Sequence, residues 1–203
     1  TLLQSLLDGH SELLVDVADS KFFDYYSEFL DLEPEQRPKH FQERIIEYIF
    51  NENSHYYRDF LSHIDIDQLK NEFNNLAHRD YTIHKIYEAY IDALGISSGG
   101  IDKKTKYFVD KTLKNEFYCN YINKWWPDSK IIYLIRDPRD VYASYKIRDK
   151  KNNRKVTKID ALVYTWGNSV KNAINLLNTD MSGSLLLLKY EDLVNEKEKD
   201  MSS

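Results

Sequence analysis

The sequence predicts an α/β fold: a parallel central sheet flanked by helices, with the middle third of the chain forming a helical insertion. Three observations predict it. Short apolar runs at residues 12–15, 130–135 and 184–188 lack polar alternation, as strands covered on both faces of a parallel sheet do. Helical periodicity fills the segments between strands. From about residue 39 to 94 the pattern is helical, charged and Tyr-rich, with no strand signal.

The elements follow in order. Leu2, Leu3, Leu6 and Leu7 share one helical face and predict a buried helix, stopped at Asp8-Gly9. The apolar run ending at Val15 predicts the first strand. Ser20 is an N-cap for a helix carrying Phe22, Phe23, Tyr26, Phe29 and Leu30. Pro34 and Pro38 mark a loop, and the helical middle third is broken near residues 51–54 and at Arg79-Asp80. Residues 95–100 read as a turn-rich loop, Tyr107–Val109 as a strand, and 113–126 as a helix closed by Pro127. The run 130–135 is a strand, 138–148 a helix, Ile159–Leu177 a longer helix, and 184–188 a last strand. A core helix opens the chain without a cap and an acidic tail closes it, so the chain reads as an internal fragment truncated at both ends. Residues 1–203 then form one incomplete domain, with the insertion at 36–103.

Composition excludes several functions. The 203 residues carry 28 Lys and Arg against 33 Asp and Glu, a net charge of −5, so the basic footprint of a general nucleic-acid binder is missing. A single cysteine, Cys119, allows no internal disulfide and no multi-Cys metal site. No apolar run approaches the roughly 20 residues of a membrane span. The six histidines, His10 among them, show no metal-ligand spacing, so no metal is expected.

The chemistry concentrates in residues 131–144. Arg136 emerges at the carboxyl edge of a buried strand, where open α/β sheets bind ligands. Asp137 is a natural N-cap and Pro138 a first helical residue. Ser144 follows Arg136 by eight residues, nearly two turns into the helix, so guanidinium and hydroxyl could bracket an anion along the helix flank. The bland alternative is a solvated ion-pair cluster of Arg136, Asp137, Arg139 and Asp140.

Strand, Arg, acidic/Pro turn and Ser in this order resemble the 3′-phosphate-binding motif of sulfotransferases that use 3′-phosphoadenosine 5′-phosphosulfate (PAPS). Three further stretches resemble that family in order. Residues 1–10 are similar to the helix after its 5′-phosphosulfate loop, with Thr1 the loop's last residue. Val109-Asp110-Lys111-Thr112 is similar to the strand-end Lys-Thr/Ser-Pro segment, with Leu113 in place of the Pro. Lys189-Tyr190-Glu191-Asp192-Leu193 is similar to the Tyr-Glu-Asp-Leu after a later core strand.

The resemblance implies a P-loop-like fold and transfer of a sulfuryl group from PAPS to the hydroxyl of a glycan, a protein tyrosine or a small molecule. The likeness is closer to the glycan and protein branches than to the cytosolic small-molecule branch. It implies PAPS as co-substrate, with Arg136 and Ser144 on its 3′-phosphate, Thr1 at its 5′-phosphosulfate and Tyr190 on its adenine. Lys111 would stabilise charge on the departing phosphate, and Asp19, with Asp16 behind it, would be the general base. The insertion would shape the acceptor pocket. Residues 1–203 alone would be inactive, because the core of the phosphosulfate loop precedes Thr1.

Each assignment has a plainer counterpart. Lys111 could be an exposed loop lysine, Asp19 a helix cap, and Tyr190 one of 16 tyrosines at a strand end. Glu191 and Asp192 read as helix-start charges and Trp166 as core. The basic run from Lys146 to Lys155 reads as a solvated loop or a steering surface for an anion. Rival readings of the whole chain are a P-loop kinase of small metabolites and a non-catalytic nucleotide- or glycan-binding module.

Overall fold

A computed structural model describes residues 2–16, 19–52, 61–100 and 104–200. The chain packs as two compact units, residues 1–115 and 116–203.

In the first unit, helix α1 (Leu2–Leu7) leads through Gly9, at φ +82°, into strand β1 (Leu13–Val15). The expected burial of α1 does not hold. Its leucines are half-buried and Leu6 is 46% exposed, because a six-residue helix makes under two turns and turns only one side to its neighbours. After β1, Lys21 adopts a left-handed conformation (φ 54°), and the expected single Phe-rich helix divides into a 3-10 turn (Phe22–Tyr25) and α2 (Tyr26–Leu30).

Pro34 starts a short 3-10 turn and Pro38 lies in the first turn of α3 (Arg37–Phe41), so both prolines initiate helical structure where a loop was expected. Two π-helical turns follow, Gln42–Ile46 and Tyr48–Glu52. Helix α4 (Ile66–Ala77) is capped by Asp65, whose carboxylate accepts from Asp67 N at 2.9 Å and Gln68 N at 3.0 Å. The break expected at Arg79-Asp80 lies between α4 and α5 (Ile83–Ser98). The break expected near 51–54 falls largely outside the described residues. Residues 95–98 are not a loop: α5 runs through Gly95 and stops at Gly99, whose φ of +65° closes the helix in the left-handed conformation glycine allows. Burial of Gly95 and Ser97 outweighs glycine's helix penalty of about 1 kcal/mol.

Strand β2 (Tyr107–Val109) then pairs with β1 in parallel, Leu13 opposite Tyr107 and Val15 opposite Val109. Between the two strands the described residues form helices, 3-10 and π turns and the loops that join them, with no further strand among them. An aromatic core holds this unit together. Phe22, Phe29, Phe41, Phe73 and Tyr90 are at most 1% exposed, Phe22 stacks on Tyr87 at 4.4 Å, and Phe41 stacks on Phe73 at 5.2 Å. Each such ring contributes about 1.5–3 kcal/mol by leaving water.

The second unit is smaller. Lys114, at φ 75°, interrupts the helix expected over 113–126, which begins only after a 3-10 turn (Asn115–Tyr118), as α6 (Cys119–Trp125). Strand β3 (Ile131–Ile135) leads into α7 (Pro138–Lys151), then α8 (Ile159–Leu177), strand β4 (Leu185–Lys189) and α9 (Tyr190–Asp200). Strands β3 and β4 are parallel, in register from Ile131 opposite Leu185 to Ile135 opposite Lys189. Cys119, Tyr133, Ala173, Leu176 and Met181 form the buried core, with Ile131, Ile135 and Leu185 against it.

The expectation of parallel pairing holds for both strand pairs. One central sheet does not appear: the described strands form two two-stranded sheets. Nor are the apolar runs covered on both faces. Ile132, Leu186 and Leu187 are 39%, 53% and 39% exposed, and since Leu186 and Leu187 point to opposite faces, neither face of the pair is fully covered within this unit.

Candidate functional site

Within residues 1–115, parallel pairing brings the carboxyl ends of β1 and β2 side by side. Asp16 N donates to Val109 O at 2.9 Å, and both chains leave the sheet at the edge where α/β folds gather ligand-binding groups. Just past the strands, four residues after β1 and two after β2, the two sequence candidates meet: Lys111 Nζ donates to Asp19 Oδ1 at 2.7 Å. The side chains are 33% and 22% exposed, hence reachable from solvent. A pair so exposed is worth only about 0–1 kcal/mol to the fold, so stability does not account for it. Neither Asp19 nor the expected Ser20 is the N-cap of the following turn; that position falls to Lys21, and Ser20 Oγ accepts the Phe22 N–H at 3.4 Å.

Next to the pair lies a ring of polar groups, buried at Ser20, Thr112 and Tyr87 and half-buried at Asp110 and Asn115. Ser20 N donates to Thr112 Oγ1 at 3.1 Å and the two hydroxyl oxygens are 3.2 Å apart. Thr112 Oγ1 donates to Asp110 Oδ1 at 2.7 Å. Asp110 Oδ2 accepts from Tyr87 OH at 2.8 Å and from Asn115 Nδ2 at 3.0 Å. Tyr87 OH lies 3.3 Å from Ser20 Oγ, which closes the ring. Burial raises the Asp110 carboxyl above the ordinary aspartate range, against the opposing pull of its three donors. Burial also lifts the Tyr87 hydroxyl well above the usual tyrosine value, and the nearby Asp110 charge adds to it. Asp16, on the same strand end, is 1% exposed, and its carbonyl accepts from Gln4 Nε2 at 2.9 Å.

A second cluster stands within residues 116–203, at the carboxyl ends of β3 and β4. The register that sets Ile135 opposite Lys189 brings the next residues together, and the Arg136 guanidinium lies 4.5 Å from the centre of the Tyr190 ring. Trp166 Nε1 donates to Arg136 O at 3.0 Å, and Asp137 N donates to Glu191 Oε1 at 2.9 Å. That backbone bond lowers the Glu191 pKa. As its sequence position predicts, Asp137 caps α7, accepting from Arg139 N at 2.8 Å. The Arg139 side chain also binds its carboxylate and holds the pKa at about 2.

These groups surround an open hollow of about 400 Å³ lined by Arg136, Trp166, Lys189, Glu191 and Asp192 among others. Ser144 is not part of that lining; it is exposed on α7. Thr1 lies outside the described residues.

Trp166 corrects the expectation of a core residue: it is half-buried at the hollow, bonded to the backbone of Arg136. Much of the basic run expected in a loop is helical, since α7 continues to Lys151. Its Asp149 is 2% exposed and ties the following loop back to the helix, accepting from Thr157 N at 2.9 Å and Thr157 Oγ1 at 2.8 Å. Burial pushes the Cys119 thiol up to about 11, which leaves it an unreactive core residue. Sequence reasoning missed Ser20, Tyr87 and Asp110 as a joined set. The only signal was the run of polar residues at each strand end, and nothing in it identified Tyr87 as their partner.

A family model described as the sulfotransferase family matches residues 1–203. No curated protein and no solved structure matches the chain.

Proposed function

The chain belongs to the sulfotransferase family, and on that premise we propose that it transfers a sulfuryl group from PAPS to an acceptor hydroxyl on a glycan, a protein tyrosine or a small molecule. The observation that carries the reading is the Lys111–Asp19 pair at 2.7 Å on adjacent strand ends. Transfer needs a base for the incoming hydroxyl and a cation for the outgoing phosphate, within one sulfuryl group of each other. The pair brings those two groups together.

In this reading the acceptor oxygen attacks sulfur while Asp19 takes its proton. The bond between sulfur and the bridging phosphate oxygen breaks, and PAP (3′-phosphoadenosine 5′-phosphate) departs with the electron pair. Charge grows on that oxygen as the bond lengthens, so the Lys111 ammonium stabilises the transition state more than the bound donor. At 2.7 Å the direct pair leaves no room between its members, so substrates enter by parting it.

Arg136 and Ser144 bind the 3′-phosphate, with Arg136 contributing planar N–H donors and Ser144 a hydroxyl. Thr1 contributes to the 5′-phosphosulfate contact, and the helical segment 36–103 shapes the acceptor pocket. The test is calorimetric titration of PAP into the full chain. Arg136→Ala should weaken binding by roughly 2–5 kcal/mol. Undiminished affinity in that variant rejects the phosphate assignment.

A further inference from the structure

The geometry points to Tyr190 as the residue that positions Arg136 for the donor's 3′-phosphate, and so sets the preference for nucleotides carrying that phosphate. This rests on the proposed role of Arg136 and gives Tyr190 a task other than holding adenine.

Three restraints converge on Arg136. Its carbonyl is fixed by Trp166 Nε1 at 3.0 Å. The next peptide is fixed by the bond from Asp137 N to Glu191 Oε1 at 2.9 Å. Both act on the backbone, and neither restrains the long side chain. The Tyr190 ring does, by lying 4.5 Å from the guanidinium carbon. A guanidinium held by a ring is held through its π contact, whereas one held by a carboxylate spends its N–H groups. Arg136 Nε is buried and finds no hydrogen-bond acceptor among the described residues. The carboxylates nearest in sequence make their hydrogen bonds elsewhere, Asp137 with Arg139 and Glu191 with the Asp137 backbone, although the Glu191 charge still acts on Arg136. Tyr190 thus fixes the guanidinium beside the hollow without occupying its N–H groups, which leaves them for a ligand phosphate.

The register makes the arrangement specific. Ile135 is opposite Lys189, so Arg136 and Tyr190 are the first residues past the sheet on neighbouring parallel strands. A shift of one residue in the pairing would turn one of the two side chains to the opposite face.

The experiment measures the affinities of PAP and of adenosine 5′-monophosphate, which lacks the 3′-phosphate, by calorimetry on the full chain. Wild type should prefer PAP. Tyr190→Leu should weaken PAP binding roughly three- to thirtyfold, the range of a partly desolvated cation–π contact, and leave the monophosphate within twofold. Tyr190→Phe keeps the ring and should keep the preference. In an Arg136→Ala background, Tyr190→Leu should have no further effect on PAP. Equal losses for both nucleotides in Tyr190→Leu assign the ring to adenine and overturn the proposal, as does loss of the preference in Tyr190→Phe, which also decides the matter should the leucine variant fail to fold. Absence of PAP binding by wild type overturns the donor assignment itself, a result distinct from either.

Discussion

Ser20 and Thr112 are hydrogen-bonded immediately behind Asp19 and Lys111. Ser20 N donates to Thr112 Oγ1 at 3.1 Å, and the preceding residue of each joins its counterpart at 2.7 Å. Two consecutive residues from one strand end thus meet two from another, across 92 positions of sequence. The inner contact is buried and fixes the alignment; the outer one is open to solvent and free to part. A site that must exchange partners with its substrates needs both.

Thr112→Val keeps the shape and removes the hydroxyl, leaving Ser20 N and Asp110 Oδ1 short of a partner in a buried place. The expected loss is about 1–3 kcal/mol of stability. Thr112→Ser should recover most of it. Denaturant midpoints of the two variants check this, and equal midpoints for valine and wild type contradict it.

Asp19→Asn and Lys111→Ala should separate chemistry from binding. The amide cannot take a proton, so transfer should fall by about 10²–10⁴. Loss of the ammonium should lower it by about 10²–10³. Radiolabelled sulfuryl transfer from PAPS to a panel of glycan, tyrosyl-peptide and alcohol acceptors, measured on the full-length protein, gives the rates. Wild-type turnover by Asp19→Asn removes Asp19 as the base.

Asp149 should make the second unit acid-sensitive. Its bonds to Thr157, with Arg148 adding to them, hold the carboxyl at about 2, below its unfolded value. Stability from this group is therefore full above the unfolded value and is lost as pH falls toward 2. Asp149→Asn should melt lower than wild type at pH 7, and the gap should narrow steadily as pH falls toward 2. A gap independent of pH means the carboxylate charge contributes nothing. The half-buried Asp110 has the opposite sign: its raised value makes ionisation unfavourable to the fold, so its contribution is lost as pH rises through that value.

Trp166→Phe keeps an aromatic ring at the hollow and deletes the donor to Arg136 O. PAP affinity should drop by about 0.5–1.5 kcal/mol, the net worth of one hydrogen bond. A variant that binds as well as wild type shows that this bond does not restrain Arg136.

Much of the architecture was legible in local pattern. The strand over 130–135, the Asp137 cap and the Ile159–Leu177 helix follow from side-chain periodicity and capping chemistry, both short-range effects. The misread segments were those where a distant contact outweighed a local signal. Gly95 sits inside a helix because α5 is buried there, and Lys114 at positive φ delays α6 in a way no propensity indicates. The apolar runs of β3 and β4 resembled fully covered strands, yet hydrophobic composition alone does not say how many faces a neighbour will cover.

The sequence by itself determined where strands end and which charged residues follow them, because backbone preference and alternation act over a few residues. Arg136 was singled out by its place after a strand, whereas Asp19, Lys111 and Tyr190 were singled out one by one through resemblance to the sulfotransferase family. Only tertiary structure decided their company: Asp19 with Lys111, Arg136 with Tyr190 and Trp166, Tyr87 with Asp110. These pairings depend on parallel register and helix packing, which join residues far apart in the chain.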